Sequence, residues 1–220
     1  MIHHADYHPP LHQGLNILYV DNDLVIVDKP AGLLSVPGKG IHKQDCMLSR
    51  MKTEFPDALV VHRLDMPTSG IIIFALNTTS QKQMGLLFEK KMIHKTYIAR
   101  VFGTPGVKQG QIDLPLMTDW PNRPKQKIDF KLGKSALTKY SVLIDDDTSS
   151  LLELTPVTGR SHQLRVHMSA LGHPILGDAL YGINESMQAS ERLLLHAHNI
   201  RFKHPVTERQ IDITSNAEFK

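Results

Sequence analysis

The chain has 220 residues, 41% of them hydrophobic and 21% charged, with a formal net charge of +3 and a pI near 8.9. That is ordinary globular composition, long enough to bury a sizeable core. One cysteine, Cys46, excludes a disulfide framework or multi-thiolate metal site within one chain, and no apolar run approaches the roughly 18 residues of a membrane span.

In chain order, "MIHHADYHPP" is polar and lacks the apolar region of a secretory signal, so a cytoplasmic protein is expected. Residues 1–14 read as a loose arm, with one domain over 15–220. "NILYVDNDLVIVDKP" places two β-branched runs around Asp21-Asn22-Asp23, a hairpin signature. Residues from about Gln44 to Phe55 favour a helix that Pro56 stops. "ALVV" (Ala58–Val61) and "IIIFAL" (Ile71–Leu76) read as strands flanking a loop, His62–Gly70, that holds His62, Arg63 and Asp65. "TTSQKQMGLLFEKK" predicts a helix starting at Thr78 or Thr79, and "KTYIARVFG" a strand.

From Pro121 to Tyr140 the charge is concentrated: Arg123, Lys125, Lys127, Lys131, Lys134 and Lys139 face only Asp129. The remainder is slightly acidic. A basic segment on a near-neutral body suits a polyanion such as RNA, although a solvated loop has the same composition. "LTKYSVLID" and "SLLELTPV" predict a second hairpin. In "TGRSHQLRVHMSALGHP", Leu164, Met168 and Leu171 mark one face of a helix that Gly172 and Pro174 end. "LLLHAHNIRFKHP" and "RQIDITS" close the chain as strands. Many strands and three or four helices, not in strict alternation, predict an α+β fold with a mixed, mostly antiparallel central sheet flanked by helices.

Several chemistries are set aside on spacing. His162 and His167 lie about 140° apart around a helix, so they do not share a face. His196 and His198 lack a carboxylate or cysteine partner, and no metal site is expected. "VPGKG" is not a phosphate loop, and no nucleophile elbow is present. "HRLD" differs from the kinase triplet by an intervening residue and lacks the downstream kinase motifs. A paired-carboxylate glycosidase would need a second acid in the site. What remains is Asp65 on a strand-bounded loop and the cation-rich "TGRSHQLRVH". A buried carboxylate needs a cation and hydrogen bonds to stay ionised. Arg165, one residue beyond Leu164 on the helix face, is placed to reach into a cleft. Asp65 is thus a candidate nucleophile or base paired with an arginine of the second motif, the alternative being a purely structural ion pair.

Taken together, "DKPAG" (Asp28–Gly32), "HRLDMPTSG" (His62–Gly70), "KTYIARVFG" (Lys95–Gly103), "TGRSHQLRVHM" (Thr158–Met168), "GHPILGD" (Gly172–Asp178) and "LLLHAHNIRFKHP" (Leu193–Pro205) resemble the RluA family of pseudouridine synthases. The resemblance spans nearly the whole chain after residue 15. It implies an isomerase that converts uridine in RNA to pseudouridine without a metal or organic cofactor. It implies Asp65 as the catalytic aspartate, Tyr97 against the uracil and Arg165 paired with Asp65. Arg63 is expected to help flip the uridine out of its stack. His62, Arg123, Lys125 and Lys127 are expected RNA contacts. The chain has no room for an added S4-type RNA-binding domain. It is most similar to the branch acting on 23S rRNA and the tRNA anticodon stem-loop, and a monomer is expected. A non-catalytic RNA-binding module of the same fold is the alternative.

Overall fold

The computed structural model describes residues 7–219, so the first six residues of the expected arm lie outside it. Residues 7–14 form no helix or strand, yet they are tied down. The Tyr7 hydroxyl donates to the Asp45 carbonyl and accepts the Leu34 N–H, and Arg50 donates to the Pro10 carbonyl.

The first hairpin is β1 (Ile17–Val20) and β2 (Leu24–Lys29). Its turn closes because Asp21 Oδ1 accepts the N–H groups of Asp23 and Leu24, the local bond that short acidic side chains favour in turns. Helix α1 (Met47–Glu54) starts three residues later than the sequence suggests. Cys46 Sγ and Ser49 exchange capping bonds there and fix the start. Next come β3 (Leu59–Val60) and β4 (Ser69–Ala75). Helix α2 (Thr78–Glu89) begins at the expected threonine, but its cap is Asn77, whose side chain accepts the Ser80 N–H.

The remaining strands are β5 (His94–Phe102), β6 (Gln109–Asp113), β7 (Leu116–Thr118), β8 (Gln126–Ile128), β9 (Leu137–Asp145), β10 (Ser149–Pro156), β11 (Leu195–Lys203) and β12 (Gln210–Thr214). Helices α3 (Gln163–Ala170) and α4 (Asn184–Gln188) fall between β10 and β11. The basic segment therefore contributes β8 to a small hairpin, whose other strand, β7, precedes it.

Ten strands form one sheet in the order β1-β2-β4-β11-β5-β10-β9-β6, with β12 on β11 and β3 on β4. Every pairing is antiparallel except β4 with β11. This is the mixed, mostly antiparallel α+β fold expected. The parallel contact matches Ser69 to His196 and Gly70 to Ala197. Only glycine suits position 70: its φ is 106°, and a Cβ would lie 2.4 Å from the Ala197 carbonyl oxygen.

The unbroken apolar run of β4 follows from burial on both faces. Ile71 and Ile73 pack with Leu24, Ile26 and α2's Met84 on one side. Ile72 and Phe74 pack with Val25, Val27 and α1's Met47 and Met51 on the other. In the far half, Leu164 and Met168 of α3 pack on Ala99, Val101, Leu152 and Leu154. Tyr97 touches both the α1 core and the α3 core, so it sits at their seam, on the face of the sheet those helices cover.

Candidate active site

Asp65 projects from a loop fixed at four points. Ser35 Oγ donates to the Leu64 carbonyl at 2.7 Å and accepts the Leu64 N–H. The Met66 carbonyl accepts the Gly32 N–H and Lys29 Nζ. The Thr68 N–H bonds back to the Asp65 carbonyl. Finally, His62 Nε2 accepts the Ile73 N–H at 3.0 Å. Lys29 is fully buried, and its ammonium also donates to the carbonyls of Pro30 and Leu33. Burial pushes its pKa down to about 7, against the opposing pull of Asp65 and Asp28. "DKPAG" thus acts through Lys29 as the underside of the Asp65 loop.

The second half of the site comes from α3 and the chain after it. Arg165 is 3% exposed and Asp178 1%. They form a bidentate pair, Nε to Oδ2 at 2.8 Å and Nη2 to Oδ1 at 2.7 Å. The third guanidinium nitrogen, Nη1, reaches Asp65 Oδ2 at 3.4 Å. The guanidinium carbon lies 5.1 Å from the centre of the Tyr181 ring. Burial works against the Arg165 charge, but the bonds to Asp178 and the nearby Asp65 outweigh it and hold the pKa above its ordinary value.

So the sequence placed Arg165 beside Asp65 but missed its principal partner. A second acid is present after all. It holds the arginine rather than facing the cavity. Asp178 stood inside "GHPILGD", where a carboxylate directly after an apolar run was the available signal.

Asp65 opens on a cavity of about 480 Å³ that Arg63, Arg123, Ser161 and His162 also line. Arg63 and Arg123 are exposed. Arg123 lies flat against Trp120, 3.7 Å from guanidinium carbon to ring centre. Trp120 is itself 62% exposed, a platform that the charge pattern alone did not reveal. Lys125 and Lys127 stand on the same basic segment but outside the cavity wall, and Lys127 Nζ lies 3.9 Å from Asp129.

Tyr97 is half-buried between the two cores. Burial, reinforced by the Asp65 charge, holds its phenol well above the usual range.

His62 departs from its expected role. Its ring turns inward, accepts the Ile73 N–H and packs 4.9 Å from Phe88. Burial, with the Lys95 charge added, pushes its pKa down to about 3, so it is a neutral structural group. His167 likewise bonds Thr138 and the Leu114 carbonyl inside the fold, away from His162.

Asp21, Asp23 and His204 cluster elsewhere, with His204 Nε2 buried 3.1 Å from Asp21 Oδ2 and most of their other polar atoms bonded within the protein. Asp21 binds Tyr19 and two turn N–H groups, Asp23 binds Asn77 and Ser80, and His204 Nδ1 accepts two backbone N–H groups. The cluster clasps two turns together.

A sheet of this order, with a carboxylate between an arginine and a cation-lined cavity, defines the catalytic domain of an RNA pseudouridylate synthase. That family matches residues 23–170, and the chain belongs to it and is an enzyme of the isomerase class. The chain is 48% identical over 204 residues to the dual-specificity RNA pseudouridine synthase RluA of Yersinia pestis, covering 92% of this chain and 99% of that one. It is 45% identical over 215 residues to the Escherichia coli K12 protein of the same name, covering 97% and 98%. Among solved structures, human RNA pseudouridylate synthase domain containing 1 superposes with a TM-score of 0.80 at 28% identity, covering 97% of this chain and 87% of that one. None of the described helices is long and apolar enough to cross a membrane.

Proposed function

We propose that the protein isomerises uridine to pseudouridine in 23S rRNA and the tRNA anticodon stem-loop, with Asp65 as the catalytic carboxylate. It acts as a monomer in the cytoplasm. One observation carries the reading: a loop-borne carboxylate, braced by a buried arginine, forms the wall of a cavity edged with exposed cations. The two RNA classes rest on the similarity to proteins described as dual-specificity RNA pseudouridine synthases.

The chemistry follows from what must break. The N1–C1′ bond is cleaved with its electron pair leaving on uracil N1. Asp65 drives this either by attacking C1′ or by removing the C2′ proton so that a glycal forms. The freed uracil turns until C5 faces C1′. The C5–C1′ bond forms as the Asp65 ester bond breaks, or, in the glycal route, as the proton returns to C2′; the C5 proton is then lost and N1 takes up a proton. A base inside a helix exposes neither C1′ nor C5, so the uridine must be flipped out, and a loop nucleotide costs least to flip. Arg63 is placed to fill the gap it leaves. Tyr97 offers the turning uracil a ring face. Its raised pKa keeps the phenol protonated at neutral pH, so it is a hydrogen-bond donor rather than a phenolate base. Arg123 stacked on Trp120 can take a phosphate or a neighbouring base.

The direct test maps pseudouridine in rRNA and tRNA from cells lacking the protein against cells expressing it. Defined 23S rRNA and anticodon-loop positions should be lost together. Unchanged maps would overturn the assignment.

The outlying lysines give a second test. Neutralising Lys125 and Lys127 should weaken RNA binding and reduce the slope of log affinity against log salt by about 1.4, for two contacts to single-stranded phosphate. An unchanged slope would remove both from the interface.

A further inference from the structure

His162 occupies a costly position. It is the N-cap residue of α3, with φ 54° and ψ 15°, in the left-handed region that non-glycine residues rarely adopt. Its side chain makes no capping bond, although Asn, Asp or Ser would make one at that place. The residue is therefore unfavourable for the backbone and idle for the helix. Such an outlier points to a role for the side chain.

The ring is held by a hydrogen bond at one end and faces a carboxylate, beyond hydrogen-bond distance, at the other. Nδ1 lies 2.6 Å from the Tyr181 hydroxyl, and Nε2 lies 3.8 Å from Asp65 Oδ2, facing the cavity. The proton arrangement follows from the donors. Tyr181 Oη already accepts the Gln126 N–H at 2.7 Å, so its own O–H is free to donate to Nδ1. Nδ1 is then an acceptor and Nε2 carries the proton. The other tautomer would leave the phenolic proton without an acceptor among these groups and aim an imidazole lone pair at a carboxylate.

Oδ2 of Asp65 thus has Arg165 on one side and the imidazole N–H on the other, while Oδ1 takes no hydrogen bond among the described residues. We propose that His162, oriented by Tyr181, is a positioning residue for the isomerisation: its Nε2–H faces Oδ2 across 3.8 Å and adds electrostatically to the Arg165 Nη1 bond in orienting the carboxylate, which leaves Oδ1 as the reacting oxygen. The inference rests on Asp65 being the catalytic carboxylate. Tyr181 is itself anchored to β8 through the Gln126 N–H, so a hydrogen-bonded chain runs from the hairpin to the imidazole that faces the carboxylate.

The test compares single-turnover rate, RNA dissociation constant and melting temperature for His162→Asn, His162→Gln and Tyr181→Phe on an anticodon stem-loop RNA. Asparagine is at ease in the left-handed region and as an N-cap, but it is too short to present a donor at the Nε2 position. His162→Asn should melt at the same temperature or higher, bind RNA as before, and react about 10- to 100-fold more slowly. His162→Gln, whose amide nitrogen reaches the Nε2 position, should recover most of that rate. Tyr181→Phe should slow the reaction by about tenfold with affinity unchanged.

Wild-type turnover by His162→Asn would overturn the proposal. So would a glutamine variant as slow as asparagine, or a rate loss in His162→Asn matched by lost stability. Asp65→Asn in the same assay separates the two readings. If it turns over, the assignment of Asp65 has failed. If it is dead while His162→Asn is fully active, only the role of His162 has.

Discussion

Asp65→Asn is expected to lower pseudouridine formation about ten-thousand-fold or more while leaving RNA affinity within a few-fold. Asparagine preserves the shape of the side chain and can still receive the Arg165 Nη1 bond, so the loop has no reason to move. What it lacks is the lone-pair basicity of a carboxylate. A neutral amide oxygen neither attacks C1′ usefully nor removes a C2′ proton, so both routes fail together. Binding should survive because the exposed cations, Arg63 and Arg123 among them, are untouched and one negative charge near the phosphates is gone. The measurement pairs pseudouridine content by mass spectrometry with a binding isotherm. A variant that binds and still converts uridine would place the reacting group elsewhere. A non-catalytic module would show no turnover even in the wild type.

The second large effect is predicted at Asp178. Asp178→Ala leaves the Arg165 guanidinium buried without its bidentate partner, which should cost about 3–5 kcal/mol. For a domain of this size the melting temperature should fall by about 10 °C. The loss includes a local term, because Asp178 Oδ1 also accepts the N–H groups of Leu180 and Tyr181. Turnover should fall in the fraction that stays folded, since Arg165 is no longer aimed at Asp65. A double variant, Arg165→Met with Asp178→Leu, separates the two effects. Removing both charges should restore part of the stability without restoring turnover. Calorimetry and a single-turnover assay on both variants decide it. An Asp178→Ala protein that melts like wild type would mean the pair carries little of the fold.

What the sequence revealed and what it hid divide along physical lines. Both long hairpins, α2 and α3 announced themselves because their apolar period or turn chemistry is local. Strands β7 and β8 did not, because three residues are too few to show alternation, and β8 stands in a basic segment. The Asp65–Arg165 pairing spans 100 positions. Spacing could nominate both residues, but the family resemblance was needed to join them. The role of Asp178 was hidden for another reason: it lies in a bond to a residue 13 positions away across a chain reversal, which no periodicity encodes. The contact of His62 with the Ile73 N–H was equally hidden, because it joins a loop residue to a strand 11 positions on.

Strand β11 has a consequence in time as well as in space. It is the eleventh strand along the chain, yet it lies in the middle of the sheet between β4 and β5. Before residues 195–203 exist, the half that carries Asp65 and the half that carries Arg165 and Asp178 are not joined by strand pairing. Each can form its own hairpins and helices as it emerges during translation, but the carboxylate and its arginine cannot meet. Closure requires a late strand to insert between two early ones, with matches as distant as Ser69 to His196. Such remote contacts carry the largest loop-closure cost and fold slowly. The nascent chain is therefore inert toward RNA chemistry until almost its whole length has been made, and activity should appear in one step when the last central strand arrives.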